Sequence, residues 1–419
     1  MILWRYKPLV IGVAGSTGKS STKEAIYYAL RSSFRVVRPE GNLNTEIGLP
    51  LTIIRGDDAK RNVFLWIKNI LRAFLLFIIK NKNYPQVLVL EMSEDQPGLI
   101  SYLTRLSRPK IGVISWIGEI PVHAVFYPRA ESVYSEIQSL VRLLPSTGWA
   151  VLNADNPRVL AAKEKTKAQV ITYGFSSSAD VRISEYNLFV AGKDLSKTGM
   201  IIRLEYGGSY MPLKLERVFG QPQAYALAAA TAVGLALGLN FVSVVQNLEK
   251  YKILKARTTL IKGIKNSWIF DDSYNSNPDA LKSAIIIFQD LVNLIKKEKI
   301  FALRRRIMVL GDMRELGKYS AEAHKQISPL LKENADLLIL VGQEMKITAE
   351  ECKRIGVPPE NIFWFANSKE AARKAKEIAK PGDLILVKGS RGVHLEEVTL
   401  NLMAEPQKAS KYLCFEEPT

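Results

Sequence analysis

The chain has 419 residues, 47% hydrophobic and 24% charged, which is the balance of a folded globular protein. At that length two or three domains are expected rather than one core. Lysine and arginine number 58 against 41 acidic residues, a formal charge of +17, which attracts anionic partners: nucleic acid, anionic lipid or polyphosphate. Two distant cysteines, Cys352 and Cys414, argue against a disulfide framework, and three histidines argue against a multi-histidine metal centre, leaving oxygen-bound magnesium as the expected ion.

Met1 to Lys7 is too short for a leader and carries Arg5 and Lys7, so the first strand is expected almost at once. Leu9 to Val13 is a short apolar run rich in β-branched residues; GSTGKSS (15–21) follows, and then a helix with Ile26, Ala29 and Leu30 at helical spacing. Strand, glycine-rich turn and helix in that order make a phosphate-binding loop. Gly15 and Gly18 let backbone amides approach a polyphosphate, the helix offers its N-terminal dipole, Lys19 supplies a point charge, and Ser20 or Ser21 can ligate magnesium. Val13 stands where the usual pattern has its first glycine, and the glycines here are 12, 15 and 18. A nucleoside triphosphate is the expected ligand.

Arg35 to Val37 reads as a second strand and GNLNTEIGLP (41–50) as loop. Val63 to Ile79 is the most apolar stretch; with Lys68 and Arg72 inside and Lys60, Arg61, Lys80 and Lys82 flanking, it is too short and too charged to span a bilayer. It suits either a helix lying in a membrane interface or one buried under another element or a second copy. Gln86 to Leu90 ends in Glu91, a carboxylate where open α/β sheets place their ligands. Ile111 to Ser115 precedes His123, and Ala150 to Leu152 runs into Asn153, Asp155 and Asn156. Val170 to Leu215 alternates in short runs, a small antiparallel addition, and Ala224 to Leu239 is an alanine-rich helix.

Lys250 to Lys255 is a polar connection, and the main boundary falls there, giving domains 1–254 and 255–419. Ile269–Phe270, Ile307–Leu310, Leu337–Val341 and Leu384–Val387 are four further buried strands. The fold class is therefore α/β: a P-loop-type domain with a mostly parallel sheet and a small antiparallel addition, then a Rossmann-like α/β domain. Basic clusters at 296–299 and 304–306 lack interleaved aromatics, so no nucleic-acid partner is expected.

GSTGKSS, GNLNTEIGLP, LEMSEDQPGLI, VLNADNP, DDSYNSNPDAL, VLGDMRELG with His324, and VKGSRG together resemble, in order, the Mur ligases, especially the branch that adds D-Ala-D-Ala to UDP-N-acetylmuramoyl tripeptide. The resemblance covers Leu9 to about Val398. It implies a cytoplasmic ATP-dependent amide ligase of cell-wall peptidoglycan synthesis, in which ATP phosphorylates a peptide carboxylate and an amine displaces phosphate. It places Lys19 on the β- and γ-phosphates with the backbone of Ser16, Thr17, Gly18, Ser20 and Ser21 around them, and gives magnesium to Ser20, Glu91 and His123. Arg257, Asp272 and Asn275 would close over the nucleotide. Asn42, Asn44, Lys388, Ser390 and Arg391 would line the substrate side, and His324 could serve only its helix.

Three departures accompany the resemblance. The family's carbamylated lysine, about a dozen residues past the histidine, falls at or near Ile137 by ungapped count, and no lysine occurs between Lys110 and Lys163. Glu136 is the neighbouring carboxylate. Pro222, Gln223 and Ala226 stand where the family has a His-Asn pair and an adenine-contacting asparagine. No stretch matches the family's UDP-holding N-terminal domain, so the donor is expected either to be held differently or not to be a UDP-sugar, and the apolar segment 63–79 could face a membrane-bound precursor or an anionic membrane surface.

Overall fold

A computed structural model describes the chain from Met1 to Phe415 except Glu40, Asn42 and Lys193. Helix α1 (Ile2–Tyr6) precedes β1 (Leu9–Ala14), and α2 (Lys19–Leu30) follows the glycine loop. After β2 (Val36–Val37) come α3 (Gly48–Ile54), α4 (Val63–Ile78), β3 (Val87–Glu91), α5 (Leu99–Ser107), β4 (Ile111–Ile114), α6 (Ala130–Arg142), β5 (Trp149–Asn153), α7 (Pro157–Leu160) and β6 (Gln169–Gly174). Three longer strands follow, β7 (Val181–Val190), β8 (Thr198–Tyr206) and β9 (Ser209–Glu216), then α8 (Gln221–Ala236) and α9 (Phe241–Leu248). All nine strands form one sheet in the order β2-β3-β1-β4-β5-β6-β7-β8-β9, parallel through β7 and antiparallel beyond it.

The parallel strands are apolar on both faces because helices cover both. In β1, Ile11 and Val13 pack toward α2, α8 and α9, whereas Val10 and Ala14 pack toward α3, α5 and α6. Alanines on nearly every side of α8 let it lie close to the sheet and to α2. The antiparallel strands join the main sheet through β6 and β7, so what the sequence suggested as a small addition is the far wing of the same sheet.

The second sheet has the order β10-β11-β15-β12-β13-β14: β10 (Thr259–Gly263), β11 (Ser267–Asp271), β12 (Arg305–Gly311), β13 (Leu337–Val341), β14 (Ile362–Phe365) and β15 (Asp383–Lys388). Only β10 and β11 pair antiparallel. The long helix α10 (Pro278–Glu298) starts just beyond β11, capped by Asn277, whose Oδ1 accepts the Ala280 N–H at 2.8 Å. The expected α/β architecture is present. Two details differ: residues 48–50 of the expected loop already belong to α3, and β10 and β14 are strands that continuous apolar runs did not mark.

Candidate active site

The carboxyl ends of β1 and β3 carry the two groups on which the site is built. Beyond β1 the chain turns through Gly15 at φ +141°, where a Cβ would lie 2.3 Å from Ser115 Oγ, and enters α2 through Gly18 at φ +85°. Both need the freedom that only glycine has. Gly12 is different: a Cβ there would meet Leu140 and Met92, so this glycine serves the packing of β1 and not the phosphate loop. The Ser16 N–H donates to the Trp116 carbonyl at 2.8 Å and the Ser16 hydroxyl accepts the Gly118 N–H. Ser16 therefore ties the loop to the exit of β4, and the cradle for phosphate narrows to the amides at the start of α2, which a helix leaves without internal partners.

Lys19 Nζ lies 2.8 and 3.0 Å from the two oxygens of Glu94 and donates to the Gly15 carbonyl. Glu94 is fully buried, and the Tyr127 hydroxyl donates to its carbonyl at 2.9 Å. Burial alone would lower the Lys19 ammonium, but Glu94, with Glu91 and Asp95 behind it, outweighs that effect and holds it above its ordinary value. Glu94, the partner of Lys19, was not singled out by sequence reasoning; its only signal was a second carboxylate three residues past Glu91.

Glu91 ends β3 in register with Val13. Its Oε1 accepts from Ser20 Oγ at 3.2 Å and Asn44 Nδ2 at 3.5 Å. Its Oε2 is buried and takes no hydrogen bond, although the Lys23 ammonium stands 3.3 Å away. A buried carboxylate oxygen with a spare lone pair, beside a serine hydroxyl at the mouth of a phosphate loop, is a donor set that fits magnesium. Of the two candidate serines, Ser20 faces Glu91, whereas the Ser21 hydroxyl accepts from Gln223 Nε2 at 3.2 Å and so turns toward α8.

His123, at φ +60°, presents Nε2 to Asp95 Oδ1 at 3.1 Å and Nδ1 to Glu315 Oε2 at 2.6 Å. The second contact lacks hydrogen-bond alignment. Glu315 follows β12, so this histidine touches both sheets' loops. A second bridge is made by Asn277, whose Nδ2 donates to Thr17 Oγ1 at 3.0 Å and to the Ser16 carbonyl at 3.4 Å.

These loops enclose a cavity of about 350 Å³ lined by Ser16, Thr17, Gly18, Lys19, Ser20, Asn44, Glu91, Asp95, His123, Arg257 and Asn275 among others. Arg257 stacks over Tyr274 at 4.6 Å, and its Nε is buried without a hydrogen bond. Asp272, Lys388, Ser390 and Arg391 sit behind the cavity wall. Lys388 Nζ binds Asp272 Oδ2 at 2.5 Å and the Asn275 carbonyl at 2.9 Å, holding the loop that carries Asn275. Ser390 Oγ donates to the Ser276 carbonyl and accepts the Arg314 N–H, and Arg391 Nη1 donates to the Cys414 carbonyl at 2.7 Å. Asn42 lies outside the described residues. His324 is fully buried and its Nε2 accepts the Met313 N–H, a role in shaping the loop after β12.

Ile137 does not face this cavity. It is completely buried in the apolar core under α6, and Glu136 Oε1 accepts the Ser101 N–H of α5. The ungapped count thus lands on a packing position, and a lysine there would bury a charge away from the site. The fold brings two carboxylates to His123, Asp95 and Glu315, and of these Asp95 lines the cavity.

A second cavity, about 380 Å³, opens from Thr17 and Gly18 and is walled by Trp116, Asn156, Pro222, Tyr225 and Ile286. Gln223 does not line it: besides Ser21, it accepts the Tyr251 hydroxyl at 2.8 Å, and Ala226 is in the core. Its aromatic walls beside the phosphate loop suit a flat base.

A phosphate loop faced by a strand-end carboxylate, with a second α/β sheet's loops closing on it, defines a nucleotide-dependent ligase of the Mur type. The chain belongs to the Mur ligase family: the family's middle domain matches residues 71–234, and its glutamate ligase domain matches residues 256–391. It is similar to the UDP-N-acetylmuramoyl-tripeptide--D-alanyl-D-alanine ligase of Bacillus subtilis (strain 168), 27% identical over 398 residues that make up 95% of this chain and 76% of that protein. Solved structures of the same fold include MurF from Acinetobacter baumannii, with a TM-score of 0.76 at 22% identity over 96% of this chain and 79% of that one. MurF ligase from Thermotoga maritima in complex with ADP gives 0.75 at 23% identity, over 98% and 82%.

Proposed function

We propose that this chain is a cytoplasmic ATP-dependent amide ligase that phosphorylates the terminal carboxylate of a UDP-linked muramoyl tripeptide and joins it to D-Ala-D-Ala. The observation that carries the reading is the convergence of Lys19, Glu91 and His123, drawn from three separate strand ends, on one cavity that Arg257 and Asn275 close from the second sheet. The similarity to the Bacillus subtilis ligase supports the substrates.

In this reading Lys19 exchanges Glu94 for the β- and γ-phosphates, and Arg257 brings a second cation to the same charge. Glu91 and Ser20 would hold magnesium, which neutralises phosphate charge when bound. The cavity walled by Trp116 and Tyr225 takes the adenine, with Pro222 in place of the family's usual polar contacts. A peptide carboxylate oxygen attacks the γ-phosphorus and ADP leaves. The amine then attacks the acyl carbon, and phosphate departs carrying the former carboxylate oxygen and the proton that the amine gives up. His123 would hold a second magnesium near the acceptor carboxylate, and Asp95, 3.1 Å from it, would supply the carboxylate that the missing carbamylated lysine contributes in the family.

Purified protein with ATP and magnesium should release phosphate quickly only when both UDP-muramoyl tripeptide and D-Ala-D-Ala are added. Binding of ATP with no stimulation by the pair would instead indicate a nucleotide-binding scaffold, the reading that the absence of lysine between 110 and 163 favours. Asp95→Asn should retain ADP binding and lose turnover.

A further inference from the structure

Helix α4 is built the wrong way round for a globular surface. Asn69 is buried and clasps the Asp57 backbone, its Nδ2 donating to the carbonyl at 2.8 Å and its Oδ1 accepting the N–H at 3.1 Å. Lys68 binds Asp57 Oδ2 at 2.6 Å, and the Arg72 guanidinium donates to the Arg55 carbonyl. The polar residues thus hold the helix onto the protein. The opposite face is entirely apolar and open to solvent: Phe64 is 83% exposed, Ile70 65% and Phe74 58%, with Ile67, Leu71 and Ile78 between them. Sixteen residues give a strip of roughly 24 Å at about 1.5 Å per residue.

The strip continues onto α1. The Tyr6 hydroxyl donates to the Leu76 and Ile79 carbonyls, and Trp4 stands 79% exposed beside it. An apolar groove lies on each side of α4. The one against α1 is edged by Lys7, Arg105, Arg108 and Lys110, the other by Arg55, Arg72, Lys80 and Lys82 together with Lys68, whose charge Asp57 already pairs, and neither lining contains an acidic residue.

We propose that α4 and α1 form a foot that seats the protein on an anionic lipid surface, with the apolar strip at the headgroup–acyl boundary and the basic edges on lipid phosphates. No described helix is long and apolar enough to cross a membrane, so the foot lies in the interface. The charge pattern decides between occupants. A second copy would bring the same basic edges against each other, whereas an anionic bilayer complements them and accepts the strip. The geometry also keeps the cavity free. The foot sits at the amino end of β1 and the phosphate loop at its carboxyl end, six residues and about 20 Å away, so the active site opens away from the lipid. This inference does not depend on the reaction assigned above.

The test is co-sedimentation of the full chain with vesicles of phosphatidylcholine, alone or mixed with phosphatidylglycerol, alongside sedimentation without lipid. The protein should bind the anionic vesicles, about 10-fold less to neutral ones or in high salt. Ile70→Glu with Phe74→Glu should lower binding at least roughly 100-fold while ADP binding, which reports the intact cavity, stays unchanged. Equal binding of the variant, no preference for anionic lipid, or concentration-dependent dimers with no vesicle binding would each overturn the proposal.

Discussion

Lys19 has a partner before any phosphate arrives, and that partner is fully buried. Removing one member of a buried pair leaves the other charged and uncompensated, at a cost of about 3–5 kcal/mol. Lys19→Met should therefore lower unfolding stability in denaturant by that order as well as abolish ATP turnover. Adding Glu94→Gln should recover most of the stability and none of the turnover; equal stability of single and double variants would show that Glu94 is not the source. Asp271, next to the cavity loop, is pushed up to about 7, first by burial, although Thr399 Oγ1 at 2.6 Å and Ser273 stabilise its charged form. Its ordinary value is 3.8, so between about pH 4 and 7 the folded chain keeps a proton that the unfolded chain releases, and stability falls as pH rises through that window. Asp271→Asn should lose this slope, so that its denaturant midpoint relative to the parent improves steadily up to about pH 7 and then levels off. A constant difference across the window would contradict the assignment. The loop lysine and Glu91 stood out because each lies at or just beyond the end of a recognisable strand, whereas His123 was singled out by the family resemblance alone. Glu94 did not stand out, since no spacing rule announces a carboxylate that waits on a lysine.

Among the elements, α10 joins local structure to the site. Asn277 uses Oδ1 to cap the helix and Nδ2 to reach Thr17, two functions on two atoms of one side chain. Asn277→Ala should cost about 1 kcal/mol of stability through the lost cap and also weaken activity. Asn277→Asp should keep the cap but lose the donor, lowering activity with little change in stability; unchanged activity in the aspartate variant would remove the bridge from the account. Most strands were readable as β-branched apolar runs. α3 was hidden because Gly48 and Pro50 read as breakers, although proline is tolerated in a helix's first turn. β10 and β14 are short outer strands, incompletely buried, so the apolar signal was diluted. The helical nature of 63–78 was evident from sequence, but its exposed apolar face depends on how Asn69, Lys68 and Arg72 find partners in the 55–57 turn.

For the molecule as a whole, the two sheets could be anticipated from strand patterns, and their meeting only through the resemblance that brings Arg257, Asp272 and Asn275 over the nucleotide. The contact between Asn277 and Thr17 spans 260 positions of sequence, and only the fold shows that the carboxyl ends of both sheets share one cleft. The net charge was likewise known without its distribution. Arg305 is paired with buried Asp383 and Arg306 with Asp336, so that basic cluster is largely structural, while the flanks of α4 carry basic edges, Lys68 among them paired with Asp57, and no acid lines the adjoining grooves. The central claim is that this cleft delivers the γ-phosphate of ATP to a peptide carboxylate that an amine then takes over. The most direct measurement uses UDP-muramoyl tripeptide with heavy oxygen in its terminal carboxylate, D-Ala-D-Ala and ATP, with mass analysis of the phosphate released. One heavy oxygen is expected in each phosphate, matched by formation of the amide product; phosphate carrying only solvent or ATP oxygen would rule this chemistry out.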